Sequence, residues 1–254
     1  SPKRCLNKLA FHQMYGPKTY RLMIGYGLQG RSMDSSVLIA ISSLHDGSMS
    51  KSVDEMTRRN NRQRFLERQG TSLEQSVLVH LKYEGDDYCR YYEVSLEHAG
   101  DGMAFESSIV ADALFTRGKR LALFLPVADC IGAVLFDERL QVLGLAHLGR
   151  QNLAQQGGTK IVEFMKTEFG SNPEDIQVWL SPAAGRENYP LHDFNNRSMY
   201  EVALEQLEQA NVPNGNIVID GADTTKDRNF FSHSEFLKGN RETDGRQAVV
   251  TLMR

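Results

Sequence analysis

Apolar residues fall along this chain in short runs separated by Gly, Asp and Ser, and the spacing within each run separates strand from helix. TYRLMIGYG (19–27) and SSVLIAISS (35–43) flank the turn segment LQGRSMD and predict an early β-hairpin. SKSVDEMTRRNNRQRFLERQG (50–70) predicts a helix, with Ser52 and Glu55 at capping-box spacing and Gly70 as its stop. SVLVHLKYEGDDYCRYYEV (76–94) predicts a second hairpin turned at EGDD. RLALFLPV, CIGAVLFD and QVLGLAH predict three closely spaced strands, the last two joined at DERL. QNLAQQGGTKIVEFMKTEFG (151–170) predicts a helix with Ile161, Val162, Met165 and Phe169 on one face, weakened in its first half by Gly157 and Gly158. IQVWLSP predicts a strand, RSMYEVALEQLEQAN a helix, and GNIVIDGAD and GRQAVVTLM the closing strands. Strands and helices mix without strict alternation, which points to a single α+β domain with a mixed sheet.

Four polar residues interrupt the apolar runs at strand ends: Asp129 and Cys130 after one run, His147 and Arg150 after another. Cys130 and His147 are 17 positions apart, close enough to face one cleft if their runs are neighbouring strands. A thiol beside an imidazole can become a nucleophile, or both can bind zinc, and the spacing leaves the two chemistries open. The structural alternative is a small buried hydrophobe and a hydrogen-bonded core histidine. Asp112 and Asp129 read either as strand terminators or as groups that orient a histidine or meet substrate. Arg150 and Arg246 read either as surface residues or as guanidinium forks for phosphate.

Composition narrows the setting. Hydrophobic residues make up 41% and charged residues 24%, ordinary for a globular protein. A formal charge of -3 gives no general attraction to nucleic acid or anionic membrane. Arg58, Arg59, Arg62, Arg64 and Arg68 alternate with Asp54, Glu55 and Glu67, which reads as a solvated helix face. Three cysteines without a C-x-x-C pair argue against a disulfide framework and for a reducing cytoplasm. SPKRCLNKLAFHQ carries no apolar signal core, and no run reaches membrane-span length.

Several segments together resemble the YfiH-type, "laccase-domain" family. VADALFT (110–116), VADC (127–130) and AHLGRQN (146–152) are similar to its A-D-A/G-L-x-T, A-D-C and A-H-x-G-W-R-G strands. SSLHDGSMS, RNNRQRFL, VWLSPAAGRENYPL and NFFSHSEFLKGNRETDGRQAVV extend the likeness from about residue 37 to the end. The resemblance implies an α/β/β/α sandwich related to cysteine hydrolases. It also implies a zinc ion bound by His, Cys and His, and purine nucleoside chemistry: phosphorolysis of adenosine, inosine and methylthioadenosine, and deamination of adenosine. Carried over by position, Cys130 and His147 supply two metal-binding or catalytic groups, and His80 in VLVHLKYEG supplies the third, with His98 in LEHAGDG as competitor. Asp129 and Arg150 join the catalytic set, and His45, Arg62, Asp112 and Arg246 the substrate-binding set. The implied partners are a purine nucleoside and phosphate, without nucleic acid or membrane, for a monomer or homodimer. The sequence departs from the family at W-R, where Arg150 follows Gly149 directly, at the Cys-rich segment after P-A-I-G, here Arg186 to Tyr189, and at the C-terminal C-T, here Gly221-Ala222.

Other functions stand beside this one. A metal-free thiol hydrolase would use Cys130 as nucleophile and His147 as base. A catalytically silent binding module would keep the fold alone, although a core would accept Val or Ala where Cys130 and His147 stand. A copper oxidase is disfavoured, because none of the seven histidines forms an H-x-H pair.

Overall fold

The structure, a computed structural model, describes Tyr20–Arg21 and residues 36–254. Among the described residues, eleven strands form two mixed sheets. The first, five-stranded, runs in the order β1 (Tyr20–Arg21), β2 (Val37–Ile41), β11 (Gln247–Met253), β6 (Ala122–Val127), β3 (Ser76–Leu78). The second, six-stranded, runs β10 (Ile217–Ile219), β9 (Ile176–Leu180), β7 (Ile131–Asp137), β8 (Val142–Leu148), β5 (Ala113–Thr116), β4 (Tyr91–Glu93).

Three apolar layers follow from the alternation of side chains along these strands. Leu38, Ala40, Phe124 and Val250 leave the first sheet on one side and meet Phe65 and Leu66 of α1 (Glu55–Arg68). Ile39, Leu123, Leu125 and Val249 leave it on the other and meet Val134, Leu143, Leu145 and Trp179 of the second sheet. The outer face of the second sheet, with Ala133, Leu135 and Val178, is covered by α3 (Gly157–Phe169) and α4 (Met199–Gln209). The result is the α/β/β/α sandwich that the resemblance implies. Among the described residues, no helix is long and apolar enough to cross a membrane.

Most elements agree with the apolar pattern, and three differ. The stretch 76–94 is not a hairpin: β3 pairs parallel with β6 in the first sheet, while β4 pairs parallel with β5 in the second. The segment between them therefore passes from one sheet to the other, which local alternation cannot signal. Helix α1 is capped by Asp54, whose side chain accepts from Thr57 N at 2.9 Å, rather than by Ser52. Ser52 instead shares its hydroxyl with Ser48 at 2.7 Å. The predicted helix 151–170 divides into α2 (Arg150–Ala154) and α3, because Gln156 between them takes a left-handed backbone with φ 64°. Gly158 then allows close approach to α4: its N–H donates to Gln206 Oε1 at 2.9 Å, and a Cβ there would lie 2.8 Å from Gln206 Cβ. Of the early hairpin, Tyr20 and Arg21 pair antiparallel with Ile41 and Ala40, and its turn lies outside the described residues.

Arg62 is a structural bracket within this frame, not a free substrate contact. It is buried against the Phe124 ring at 5.3 Å and donates to Met49 O at 2.9 Å and Gly102 O at 3.1 Å. Burial brings the guanidinium down to about 10, which leaves it charged at neutral pH. With Asn61 donating to Ser48 O, it ties the 47–50 loop and the 100–103 turn to α1. Arg62→Ala should lower stability by about 3 kcal/mol, read from the urea midpoint, since two charge-assisted bonds and the stacked stem are lost together. Arg62→Lys should recover only part of this, because an ammonium cannot reproduce the fork.

Candidate active site

Among the crossings between the sheets, the one from β6 to β7 is the sharp corner that builds the site. Strand β6 ends at Val127 in the first sheet and β7 begins at Ile131 in the second, leaving three residues to make the crossing. Asp129 makes the turn with a left-handed backbone, φ 69°, which Asp tolerates better than most side chains. Its buried carboxylate accepts from Thr224 Oγ1 at 3.0 Å and Ser234 N at 2.7 Å, and its carbonyl accepts from Ala184 N at 2.8 Å. These bonds fix Cys130 at the first position after the corner. Asp129 makes no hydrogen bond to His147, so it positions the corner rather than orienting the imidazole.

His147 arrives from β8. Leu143 and Leu145 point into the layer between the sheets, and His147, two further on, shares their face at its rim. Its cross-strand partner is Gly132, and its backbone N–H donates to Asp112 O at 2.8 Å. The thiol and the imidazole converge at Gly149: a Cβ there would lie 3.0 Å from both Cys130 Sγ and His147 Nε2, and 2.7 Å from His147 Cε1. No side chain fits at position 149 while the pair keeps this arrangement.

Electrostatics hold both groups neutral. Burial pushes the Cys130 thiol up to about 12, with Asp129 adding to the rise and Arg246 and Arg150 opposing it. Burial pulls the His147 imidazole down to about 4, against the opposing charge of Asp112. At neutral pH this is a thiol beside an uncharged imidazole, not a thiolate–imidazolium pair.

The other predicted residues divide by position. Arg150 begins α2, is exposed, and its side chain makes no hydrogen bond or ion pair among the described residues. Arg246 donates to Asp244 Oδ1 at 2.9 Å and to Gly245 O at 2.7 Å, and its charge reaches the thiol. Asp112 is committed elsewhere: Arg90 grips it through Nε at 2.7 Å and Nη2 at 3.1 Å, so it acts as a buried ion-pair partner, not an open substrate contact. His45 is exposed in the short 3-10 turn Leu44–Asp46. His98 also lies in such a turn, where its Nδ1 accepts from Ser95 N at 3.1 Å. His80 faces a cavity lined by Lys51, Arg58 and Arg62, to which neither Cys130 nor His147 contributes. Among the described residues, no three His, Cys, Asp or Glu side chains are grouped to hold a metal ion. His80, Cys130 and His147 therefore do not fit a single ion in this arrangement. The second described thiol, Cys89, lies against the carbonyls of Asn152 and Gln155.

One residue of the site escaped the sequence reading. Tyr83, just before the turn of the predicted hairpin, stands edge-on to His147 with 6.4 Å between ring centroids and an interplanar angle of 88°. Its loop is braced on α2 and the residue beyond it. Asn152 Nδ2 donates to Tyr88 O at 2.7 Å, Gln155 Oε1 accepts from Tyr88 N at 2.9 Å, and Tyr88 Oη donates to Gly85 O at 2.8 Å. The signal available was a lone aromatic three positions after His80; its proximity to His147 is tertiary.

Fold and site together define a two-sheet sandwich with a thiol–imidazole pair at the corner between β6 and β7. Residues 42–199 match the model of the family described as multi-copper polyphenol oxidoreductase laccase, and the chain belongs to that family. Its fold is similar to YlmD from Geobacillus stearothermophilus, with TM-score 0.77 and 24% identity over 87% of this chain and 93% of that one. The hypothetical protein YfiH of Bacillus licheniformis gives 0.76 and 23%, over 86% and 93%. Among curated relatives, purine nucleoside phosphorylase YlmD of Bacillus subtilis is 30% identical over 82 residues, covering 32% of this chain and 30% of its own length. Purine nucleoside phosphorylase Cgl2154/cg2365 of Corynebacterium glutamicum is 34% identical over 95 residues, 37% of each. The matched stretch spans about a third of the length of these curated relatives.

Two outcomes test this geometry. His147 is neutral in the fold down to about pH 4 but titrates near 6.5 when unfolded, so the unfolded chain binds more protons between those values. Stability should therefore fall as pH drops from about 6.5 to 4, by on the order of 3 kcal/mol, and His147→Gln should flatten that part of a pH series of urea unfolding curves. Gly149→Ala should leave the unfolding midpoint within about 2 kcal/mol of wild type, because the strain is local. It should also displace the pair, visible as altered His147 ring resonances in NMR.

Proposed function

We propose that this protein is a purine nucleoside phosphorylase that works at the Cys130–His147 corner. The observation that carries the reading is the convergence of an uncharged imidazole and an uncharged thiol at Gly149, with the charges of Arg150 and Arg246 within reach of the thiol and an aromatic ring at the imidazole. The names of the curated relatives support the same chemistry.

In this reading Arg150 and Arg246 hold phosphate, and Arg150 is the freer of the two. A phosphate oxygen forms a bond to the ribose C1′ as the C1′–N9 bond breaks, and the bonding pair leaves with the purine. The departing base carries developing negative charge, and an imidazole that stays neutral can donate its ring N–H to that charge without giving up the proton. Cys130 S–H is a second, weaker donor on the same side. Tyr83 offers a ring face against which the purine packs. Asp129 and Gly149 set the geometry without touching the reacting atoms.

The resemblance also implies zinc-dependent deamination of adenosine. A bound zinc would supply an activated water for that reaction. With His80 facing a separate cavity, the three donors do not fit one ion, and no step is routed through a metal. The thiol-hydrolase alternative needs a thiolate at neutral pH, and the upward push on Cys130 and downward pull on His147 both oppose it.

The test is release of free base from inosine and adenosine, with and without phosphate. Release should depend on phosphate. His147→Ala and Cys130→Ala should each lower kcat/KM at least about a hundredfold. Tyr83→Ala should raise KM by about tenfold with kcat changed only a few-fold, as expected for packing that is equal in ground and transition states. Absence of any phosphate-dependent release from the folded wild-type protein would overturn the proposal.

A further inference from the structure

On the opposite side of the first sheet from the thiol–imidazole layer, α1 and the 100–107 segment enclose a cavity of about 510 Å³. That is within the range of small-molecule sites. Its wall carries four cationic side chains, Lys51, Arg58, Arg59 and Arg62, against two carboxylates, Glu55 and Glu106. Neither carboxylate forms an ion pair with any of the four. Arg59 is engaged by Ala104 O at 3.3 Å and Glu74 at 3.9 Å, and Arg62 by the backbone carbonyls already described. The side chains of Lys51 and Arg58 make no hydrogen bond or ion pair among the described residues. Asp101 lies near enough to act on His80 but does not line the cavity; its carboxylate accepts from Ser108 N at 2.9 Å and Ser107 Oγ at 3.1 Å.

Two further features point to a ligand rather than a solvated helix face. His80 lines the cavity, and its Nδ1 has no hydrogen-bond partner among the described residues. The wall beside it is apolar, formed by Leu78, Met103 and Phe105, and Phe105 is 58% exposed despite its size. Uncompensated cations on one wall and an exposed aromatic on the other match a ligand that is anionic at one end and flat and apolar at the other.

We infer that this cavity is a binding site for a nucleotide-like organic phosphate, with the phosphate at Lys51, Arg58 and His80 and the base against Phe105. The inference does not rest on phosphorolysis at Cys130 and His147, since neither residue lines the cavity. Charge–charge attraction at a partly open site makes binding weaken with added salt. Stacking on the aromatic makes a nucleoside monophosphate or diphosphate bind more tightly than inorganic phosphate.

The test is calorimetric titration of the full chain with inorganic phosphate, AMP and ADP, at low and high salt. AMP and ADP should bind saturably and more tightly than inorganic phosphate, and both should weaken at high salt. The double variant Lys51→Ala/Arg58→Ala should weaken AMP binding at least tenfold while unfolding at the wild-type temperature, since neither side chain holds the fold together. Phe105→Ala should weaken AMP severalfold and leave inorganic phosphate unchanged. Cys130→Ala should bind as wild type does. No saturable binding of AMP or ADP, binding indifferent to the double variant, or binding lost in Cys130→Ala would each overturn the assignment. The last result would place the nucleotide at the other site.

Discussion

The left-handed turn at Asp129 is the constraint on which the site depends. A chain leaving β6 in one sheet must enter β7 in the other within three residues, and a φ of 69° is how it does so. A strained backbone persists only where its surroundings over-determine it. Here the surroundings are Thr224 and Ser234 on the carboxylate and Ala184 on the carbonyl, all from the C-terminal part of the chain. The corner thus ties β6 and β7 to the C-terminal segments, and it places Cys130 against the apolar cluster that α3 and α4 cover. The candidate active site and the packing of the C-terminal segments share one set of bonds.

Burial at this corner explains why the pair is uncharged. Both groups are already shielded from water, Cys130 against the cluster under α3 and α4 and His147 on the face of β8 that carries Leu143 and Leu145, so the charged form of each is penalised with no opposite charge in direct contact. Arg150 and Arg246 pull on the thiol, but not enough to offset burial. An uncharged imidazole suits hydrogen-bond donation to a leaving group more than thiolate activation, and this separates the phosphorylase reading from a cysteine hydrolase reading on physical grounds. It also limits the role of Asp112, whose charge is largely absorbed by Arg90.

Segment 80–90 links the two halves of the molecule. It leaves the first sheet after β3 and reaches the second at β4, and it is held by Asn152, Gln155 and the Arg90–Asp112 pair. One end of it places His80 in the cationic cavity, and three residues later it places Tyr83 at His147. Two residues three positions apart therefore serve different sites, because the chain passes from one sheet to the other between them.

Much of this was legible in the sequence. The apolar runs of β6 to β9 and β11, the face of Ile161, Val162, Met165 and Phe169, and the placement of Cys130 and His147 at strand ends all follow from local periodicity, which burial enforces residue by residue. The strand-to-helix motifs carried the family, and with it the sandwich. What the sequence could not show depends on partners distant along the chain. Segment 76–94 alternates as a hairpin would, yet its strands join different sheets, because β6 and β5 offer each a better edge than the two offer one another. Arg62 and Asp112 have the side chains of ligand-binding residues, but carbonyls from Met49 and Gly102 and the guanidinium of Arg90 occupy them. Residue type and period determined which groups could do chemistry and which elements would present them. Tertiary structure alone decided which of those groups were left without a partner, because hydrogen bonding and desolvation depend on neighbours that folding, not sequence proximity, brings together.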